Sequence, residues 1–209
     1  QRDMNSRVSH VVMMGMGEPL DNFDNAMRFL ELVGDDKGLN LSLRNISLST
    51  CGVVPRIYDL MERHLQLTLS VSLHAPNNEM RSKTMPINKK YPIEELLKAC
   101  REYTKRTSRR ISFEYAMIKD VNDSDACAYE LAALLKGMLC HVNLIPANEI
   151  VESSHKRSTN ERLESFIKIL NSRGINATVR RSLGSDIDAS CGQLRSRHNR
   201  EISEKEGNK

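Results

Sequence analysis

Glu18 stands near the end of an apolar run, Val11 to Leu20 (VVMMGMGEPL), that stops at a glycine, a carboxylate and a proline. A carboxylate at the tip of a buried strand offers two oxygens that accept hydrogen bonds from a ligand ammonium. Comparable polar residues close the other apolar runs: Ser49 and Thr50 after the second, Ser72, His74 and Asn77 around the third, and Asn148 just past Pro146 after the fifth. Gathered on one rim, a carboxylate, hydroxyls, an imidazole and an amide suit a ligand that is amino-acid-like at one end and carries a ribose, better than they suit a bare metal. Taken singly, each also reads as ordinary loop polarity. Cys191, in DIDASCGQL, adds a thiol beside a glycine. A thiolate is a competent nucleophile; Asp186 and Asp188 disfavour that form, and Arg180 and Arg181 favour it.

The elements that must position these residues alternate. The run is too short for a helix and is read as a strand over Val8 to Met16, with Gly15 and Gly17 permitting positive φ and Pro19 ending the ladder. Helical spacing follows over Asp21 to Val33, with Gly34 as its stop, and Asn45 to Thr50 alternates as a strand. A helical turn beginning near Pro55 runs to about Arg63. Leu65 to His74 (LQLTLSVSLH) alternates without a break: Leu65, Leu67, Leu69, Val71 and Leu73 share one face, and Gln66, Thr68, Ser70, Ser72 and His74 the other. That pattern fits an antiparallel strand with its polar face in water as well as a strand lining an interior. Helices are expected over Glu79 to Thr84, Pro92 to Tyr103, Asp123 to Leu135 and Ser158 to Ser172; strands over Arg110 to Ile118, His141 to Ile145 and Ala177 to Ser182. Strand and helix in alternation imply an α/β fold of parallel strands, an open sheet or a barrel, with ligands at the strand C-terminal ends.

Composition bounds the rest. At 209 residues and 39% hydrophobic content the chain can bury one sizeable core. No window approaches the roughly 18 apolar residues of a membrane span. The start, QRDMNSRVSH, carries no initiator methionine and no signal pattern, and is expected to lie within a longer protein. The net charge of +4 permits a nucleic-acid partner, with basic clusters at Lys105 to Arg110, Arg180 and Arg181, and Arg195 to Arg200. Aromatic residues at 4%, with no Trp, argue against a base-stacking platform. The five cysteines come no closer than Cys127 and Cys140, which excludes a local Cys-x-x-Cys pair and fits a reducing, cytoplasmic setting.

GMGEP (Gly15 to Pro19), LSTCG (Leu48 to Gly52), SLHAPN (Ser72 to Asn77), PINKKY (Pro86 to Tyr91), NLIP with Asn148, and DIDASCGQL (Asp186 to Leu194) together resemble the radical S-adenosylmethionine RNA adenine 2-methyltransferases. The resemblance covers nearly the whole chain in order. It implies an α/β fold, a partial radical-SAM (β/α) barrel with parallel strands over 1–183, missing the first strand and the N-terminal domain. A C-terminal segment, 184–209, would hold the methyl-carrier cysteine and a basic tail. It further implies S-adenosyl-L-methionine as cofactor, with Gly17 and Glu18 as its binding pair and Glu18 receiving the methionine ammonium. Ser49, Ser72, Leu73, His74 and Asn148 would be further cofactor contacts, Leu73 through its backbone. Cys191 matches the cysteine that is methylated and then carries the methylene carbon to adenine. The implied substrates are 23S rRNA and, in some members, tRNA, with an electron donor as partner and no membrane.

The family's Cys-x-x-x-Cys-x-x-Cys motif, which holds a 4Fe-4S cluster, is absent from this sequence, as is the upstream cysteine that works with the methyl carrier. Three alternatives stay open on the residues: a catalytically incomplete module that binds S-adenosylmethionine or RNA, the related methylase acting on position 8 of adenine, and an unrelated α/β-barrel enzyme using Glu18 and His74 for acid-base work.

Overall fold

The alternating signals resolve, in a computed structural model that describes residues 7–147 and 156–180, into one six-stranded, wholly parallel sheet. Its strands are β1 (Val11–Met13), β2 (Ile46–Thr50), β3 (Thr68–Ser72), β4 (Ile111–Met117), β5 (Cys140–Pro146) and β6 (Ala177–Val179), side by side in chain order. Between them run α1 (Phe23–Gly34), α2 (Val54–Glu62), α3 (Asn78–Thr84), α4 (Ile93–Thr107), α5 (Asp125–Leu135) and α6 (Asn160–Ser172), with 3-10 turns at Leu43–Asn45 and Pro86–Lys89. Strands that neighbour in both sequence and space, joined by helical crossovers, are the repeating unit of a (β/α) barrel.

Alternation within each strand sorts the two faces. Leu67, Leu69, Val71 and Leu73 are fully buried, as are Ile111, Phe113, Tyr115 and Met117, and Val142 and Leu144 on β5. They pack in one core with Ile57 and Leu60 of α2, Leu96 and Cys100 of α4, Leu131 and Leu135 of α5, and Phe166 and Leu170 of α6. The opposite face is polar and falls into lateral rows: Ser49, Ser70, Ser112 and His141 across β2 to β5, then Ser72, Glu114, Asn143 and Thr178 across β3 to β6. Parallel pairing with both neighbours excludes the antiparallel reading of β3, and Ser70, 1% exposed, shows its polar face turned inward.

Several boundaries differ from expectation, among them β6, which ends at Val179 before Arg180. β1 pairs only over Val11–Met13. The chain leaves the ladder at Met14 and bends through Gly15 to Gly17, so the glycines, rather than Pro19, end the strand. Gly17 sits at φ +94, a conformation that side chains with a Cβ rarely adopt. β3 is shorter than its alternation, ending at Ser72. α4 is longer, running to Thr107, because Tyr103, Thr104 and Thr107 are buried and the Thr107 hydroxyl donates to the Tyr103 carbonyl at 2.6 Å. The basic stretch Lys105 to Arg110 is thereby split between the helix end, the left-handed Ser108 and the start of β4, with Arg109 Nε donating to the Leu67 carbonyl at 3.3 Å.

Asn148, Cys191 and the 184–209 segment lie outside the described residues. No helix among the described residues is long and apolar enough to cross a membrane.

Candidate functional site

The ends of β1, β2 and β3 meet at one rim. Glu18, carried there by the glycine bend, accepts from the Leu20 amide through Oε1 at 3.0 Å and from the Cys51 amide through Oε2 at 2.6 Å. Each carboxylate oxygen has a second lone-pair direction, so two backbone donors fix the group without exhausting it. Thr50 is buried and its hydroxyl accepts from the Gly52 amide at 3.1 Å, which shapes the turn after β2.

Cys51 occupies this rim, and its electrostatics argue against a nucleophilic role. Burial first, then its hydrogen bond to Glu18, push the thiol up to about 12, so it stays protonated near neutrality. Burial likewise pushes Cys100 up to about 12 and Cys140 up to about 11. These match the expected behaviour of small buried hydrophobes.

His74 follows β3 in the left-handed region, at φ +59. Such a conformation costs a non-glycine residue about 1–3 kcal/mol unless its surroundings hold it. Here they do: the Ala116 amide donates to Nδ1 at 3.0 Å, and Asn122 Nδ2 donates to the His74 carbonyl at 2.9 Å. Asn122 is itself braced, donating to the Ala116 carbonyl at 2.7 Å and accepting from the Ile118 amide at 2.8 Å. Because Nδ1 accepts, the ring proton sits on Nε2, which makes no hydrogen bond among the described residues. The imidazole is therefore a fixed neutral donor at the rim.

Burial, and then the charge of Arg81, pull His74 down from 6.5 to about 4. The unfolded chain takes up a proton below 6.5 that the folded chain declines until about 4, so this contribution to stability is complete above pH 6.5 and disappears as pH falls to about 4. His141, pulled down by burial and by Arg110, acts in the same direction. The shift at His74 corresponds to at most about 3 kcal/mol. We expect the His74 ring signals in an NMR titration to remain those of a neutral Nε2–H imidazole at pH 5.5, and the melting temperature of the His74→Gln variant to fall less steeply between pH 7 and pH 4.5 than that of the wild type.

Ser49 and Ser72 lie on the polar face of β2 and β3, half-buried, and their hydroxyls make no hydrogen bond among the described residues. The Leu73 side chain is fully buried in the core, as its place on the apolar face requires. Its amide donates to the Glu114 carbonyl at 3.0 Å and its carbonyl accepts from Arg81 Nε at 3.2 Å, so a ligand contact at Leu73 has only that carbonyl's second lone pair. Asn77 is not a rim group: its Oδ1 caps α3 by accepting from the Met80 amide at 3.0 Å, and its Nδ2 donates to Glu130 at 3.0 Å.

Two residues that the sequence reading did not single out belong to this region. Glu114 is buried, with Oε1 accepting from the Ser112 hydroxyl at 3.0 Å and Oε2 from Asn143 Nδ2 at 2.7 Å. It places a carboxylate on the polar face, in lateral register with Ser72. The even positions of the β4 pattern carried that signal. Arg81, fully buried in α3, donates to the backbone at the ends of β2 and β3 and had no local signal.

Below the rim, the polar face encloses a cavity of about 380 Å3, lined among others by Ser47, Ser70, Ser112, Glu114, His141 and Asn143. This lies within the ~300–1,000 Å3 of small-molecule sites. A larger depression of about 470 Å3 lies outside the barrel, against α4 and Leu134, and includes no strand-end residue.

Residues 2–132 match the Radical SAM superfamily. The chain belongs to that superfamily. Over 198 residues it is 54% identical to a protein described as a probable dual-specificity RNA methyltransferase RlmN from Clostridium tetani, covering 95% of this chain and 57% of that protein. A similarly described protein from Lachnospira eligens is 51% identical over 207 residues, 99% of this chain and 59% of its own length. The chain thus spans a little over half the length of these curated relatives. Among solved structures, a radical SAM methyltransferase from Sphaerobacter thermophilus superposes with a TM-score of 0.88 at 49% identity, covering 92% of this chain and 56% of that one. A domain of pyruvate-formate lyase-activating enzyme from Bacteroides vulgatus shares the fold, with a TM-score of 0.64 at 18% identity, over 83% of this chain and the whole of that domain.

Superfamily membership implies S-adenosylmethionine and a 4Fe-4S cluster in full-length members. The two differ in how they fit this chain. The rim fits S-adenosylmethionine, with acceptor positions left on Glu18, an Nε2–H donor on His74 and hydroxyls on Ser49 and Ser72. A cluster does not fit: the sequence has no closely spaced cysteines, and the described residues contain no group of three His, Cys, Asp or Glu side chains able to hold a metal ion.

Proposed function

We propose that this chain is the cofactor-gripping, methyl-carrying part of a radical SAM methyltransferase that modifies position 2 of an adenine in 23S rRNA, and of tRNA as a second substrate. The observation that carries the reading is Glu18: a carboxylate fixed by two backbone amides at the C-terminal end of a parallel sheet. It fits a cationic, amino-acid-like ligand at the position where α/β sheets bind ligands.

In this reading Glu18 holds the methionine ammonium, and Gly17, at φ +94, sets the bend that aims it. His74 donates through Nε2, while Ser49, Ser72 and Asn148 complete the polar contacts and Leu73 contributes its carbonyl. Bound there, S-adenosylmethionine supplies an electrophilic methyl group on a sulfonium. The Cys191 thiol, once deprotonated, would be the sulfur nucleophile that accepts this methyl group. Cys51 is a poor candidate for this role, because its thiol is held protonated. The adenine must be unpaired to be reached, so a looped or partly opened RNA is the expected target. Cytoplasmic RNA and an electron donor are the partners this chemistry requires.

The cluster's ligands are not among this chain's residues, so the 209 residues alone are expected to leave RNA unmodified. Nucleoside analysis of RNA treated with a polypeptide that joins this chain to an upstream Cys-x-x-x-Cys-x-x-Cys segment tests the proposal. The expected product is 2-methyladenosine. 8-Methyladenosine would move the chain to the related methylase, and no methylated adenosine would leave it a binding module.

A further inference from the structure

Arg81 is the largest fully buried side chain among the described residues, and it makes no ion pair there. A buried guanidinium without a carboxylate must find its compensation in hydrogen bonds. Nε donates to the Leu73 carbonyl at 3.2 Å, and Nη2 to the carbonyls of Ser72 at 3.1 Å and Cys51 at 2.7 Å. Nη1 donates to Asn88 Oδ1 at 3.0 Å. Asn88 is in turn held by donation to Asn78 and to Ser82. Burial pulls the guanidinium below its ordinary value.

These carbonyls are the ones that would otherwise stand bare at the ends of β2 and β3. Parallel strands end in unpaired carbonyl oxygens, and here three of them converge from two strands on one planar fork. The same grip reaches Glu18 through Cys51: its carbonyl is held by Arg81 and its amide by Glu18 Oε2. It also fixes the residue before His74. Gly52 shows how closely the turn is drawn in, for at φ +104 an added Cβ would lie 3.1 Å from Leu96 and 3.4 Å from Arg81 Nη2.

We infer that Arg81 is a positioning residue for the rim: from beneath, its guanidinium locks the ends of β2 and β3 in register, so that Glu18, Ser72 and His74 face one S-adenosylmethionine together. The inference rests on the cofactor reading of the rim. Lysine keeps the charge but cannot serve in one plane the three carbonyls at the ends of two strands and Asn88 Oδ1, so Arg81→Lys separates geometry from charge.

The test is the dissociation constant for S-adenosylmethionine, by calorimetry well below the melting temperature, in wild type, Arg81→Lys, and Leu135→Val as a core variant remote from the rim. Arg81→Lys is expected to bind about tenfold more weakly, or worse, while Leu135→Val stays within about twofold despite its lower melting temperature. Wild-type affinity in Arg81→Lys, or an equal loss in Leu135→Val, overturns the inference and leaves the cofactor reading standing. Absence of binding by the wild type removes both. If Arg81→Lys does not fold, Asn88→Ala decides: it takes one of the four bonds and is expected to weaken binding about threefold, and unchanged affinity overturns the inference.

Discussion

Glu18→Gln is expected to weaken S-adenosylmethionine binding by roughly 10- to 100-fold, the worth of a charge-assisted hydrogen bond to an ammonium in a partly desolvated site. The substitution is nearly isosteric, so what it removes is charge and one acceptor. Both carboxylate oxygens already accept a backbone amide, from Leu20 and from Cys51. An amide side chain has a single acceptor oxygen, so its NH2 group must face one of those two N–H donors. A second effect follows: a stability loss of about 1–3 kcal/mol from the unmatched donor. Calorimetric titration and a thermal melt separate the two. A variant that melts lower but binds with wild-type affinity would remove Glu18 from the cofactor site. Cys51 offers an independent check. Its thiol is pushed up partly by Glu18, so Glu18→Gln should make it more reactive toward alkylating agents at high pH.

Cys191→Ala, in a polypeptide that joins this chain to the upstream cysteine motif, should abolish RNA methylation, because no other thiol of the chain suits the role. Cys100, Cys127 and Cys140 are buried, and Cys51, though half-exposed, is held as the thiol by burial and by Glu18. Transfer from S-adenosylmethionine to a thiolate needs an accessible, deprotonated sulfur, and covalent catalysis is lost outright when its nucleophile goes. S-adenosylmethionine binding should survive the change, since Glu18 and His74 are untouched. The assay is tritium transfer from the labelled methyl group to RNA, alongside the binding titration. Methylation retained in Cys191→Ala would mean a different carrier.

The sheet was legible because each strand states its two faces. LQLTLSVSLH alternates so regularly that its buried leucines and its polar interior row are read straight from the order of residues, and RISFEYAMI repeats the pattern with Glu114 on the polar side. What alternation leaves open is whether a polar face meets water or an interior, and the burial of Ser70 and Glu114 decides that. The length of β1 was less legible: Met14 and Met16 extend the apolar run past the point where Gly15 to Gly17 bend the chain. At the site, Glu18 and His74 were visible as polar residues ending apolar runs. Asn77 has the same signature and serves as a helix cap, because a short polar side chain before a helix and one at a ligand rim look alike in sequence. Arg81 was not legible at all. The sequence reads Glu79 to Thr84 only as a helix, and the partners of Arg81 are carbonyls eight, nine and thirty residues away in the chain.

The most direct test of the central claim is an amide and imidazole NMR titration of this chain with S-adenosylmethionine. The expected result is saturable shifts that cluster at Gly17, Glu18, Cys51, Ser72 and His74, with the His74 Nε2–H signal moving as it gains a partner, and no comparable shifts on the outer surface of α4. No shifts at the rim, or shifts centred on α4, would contradict the account.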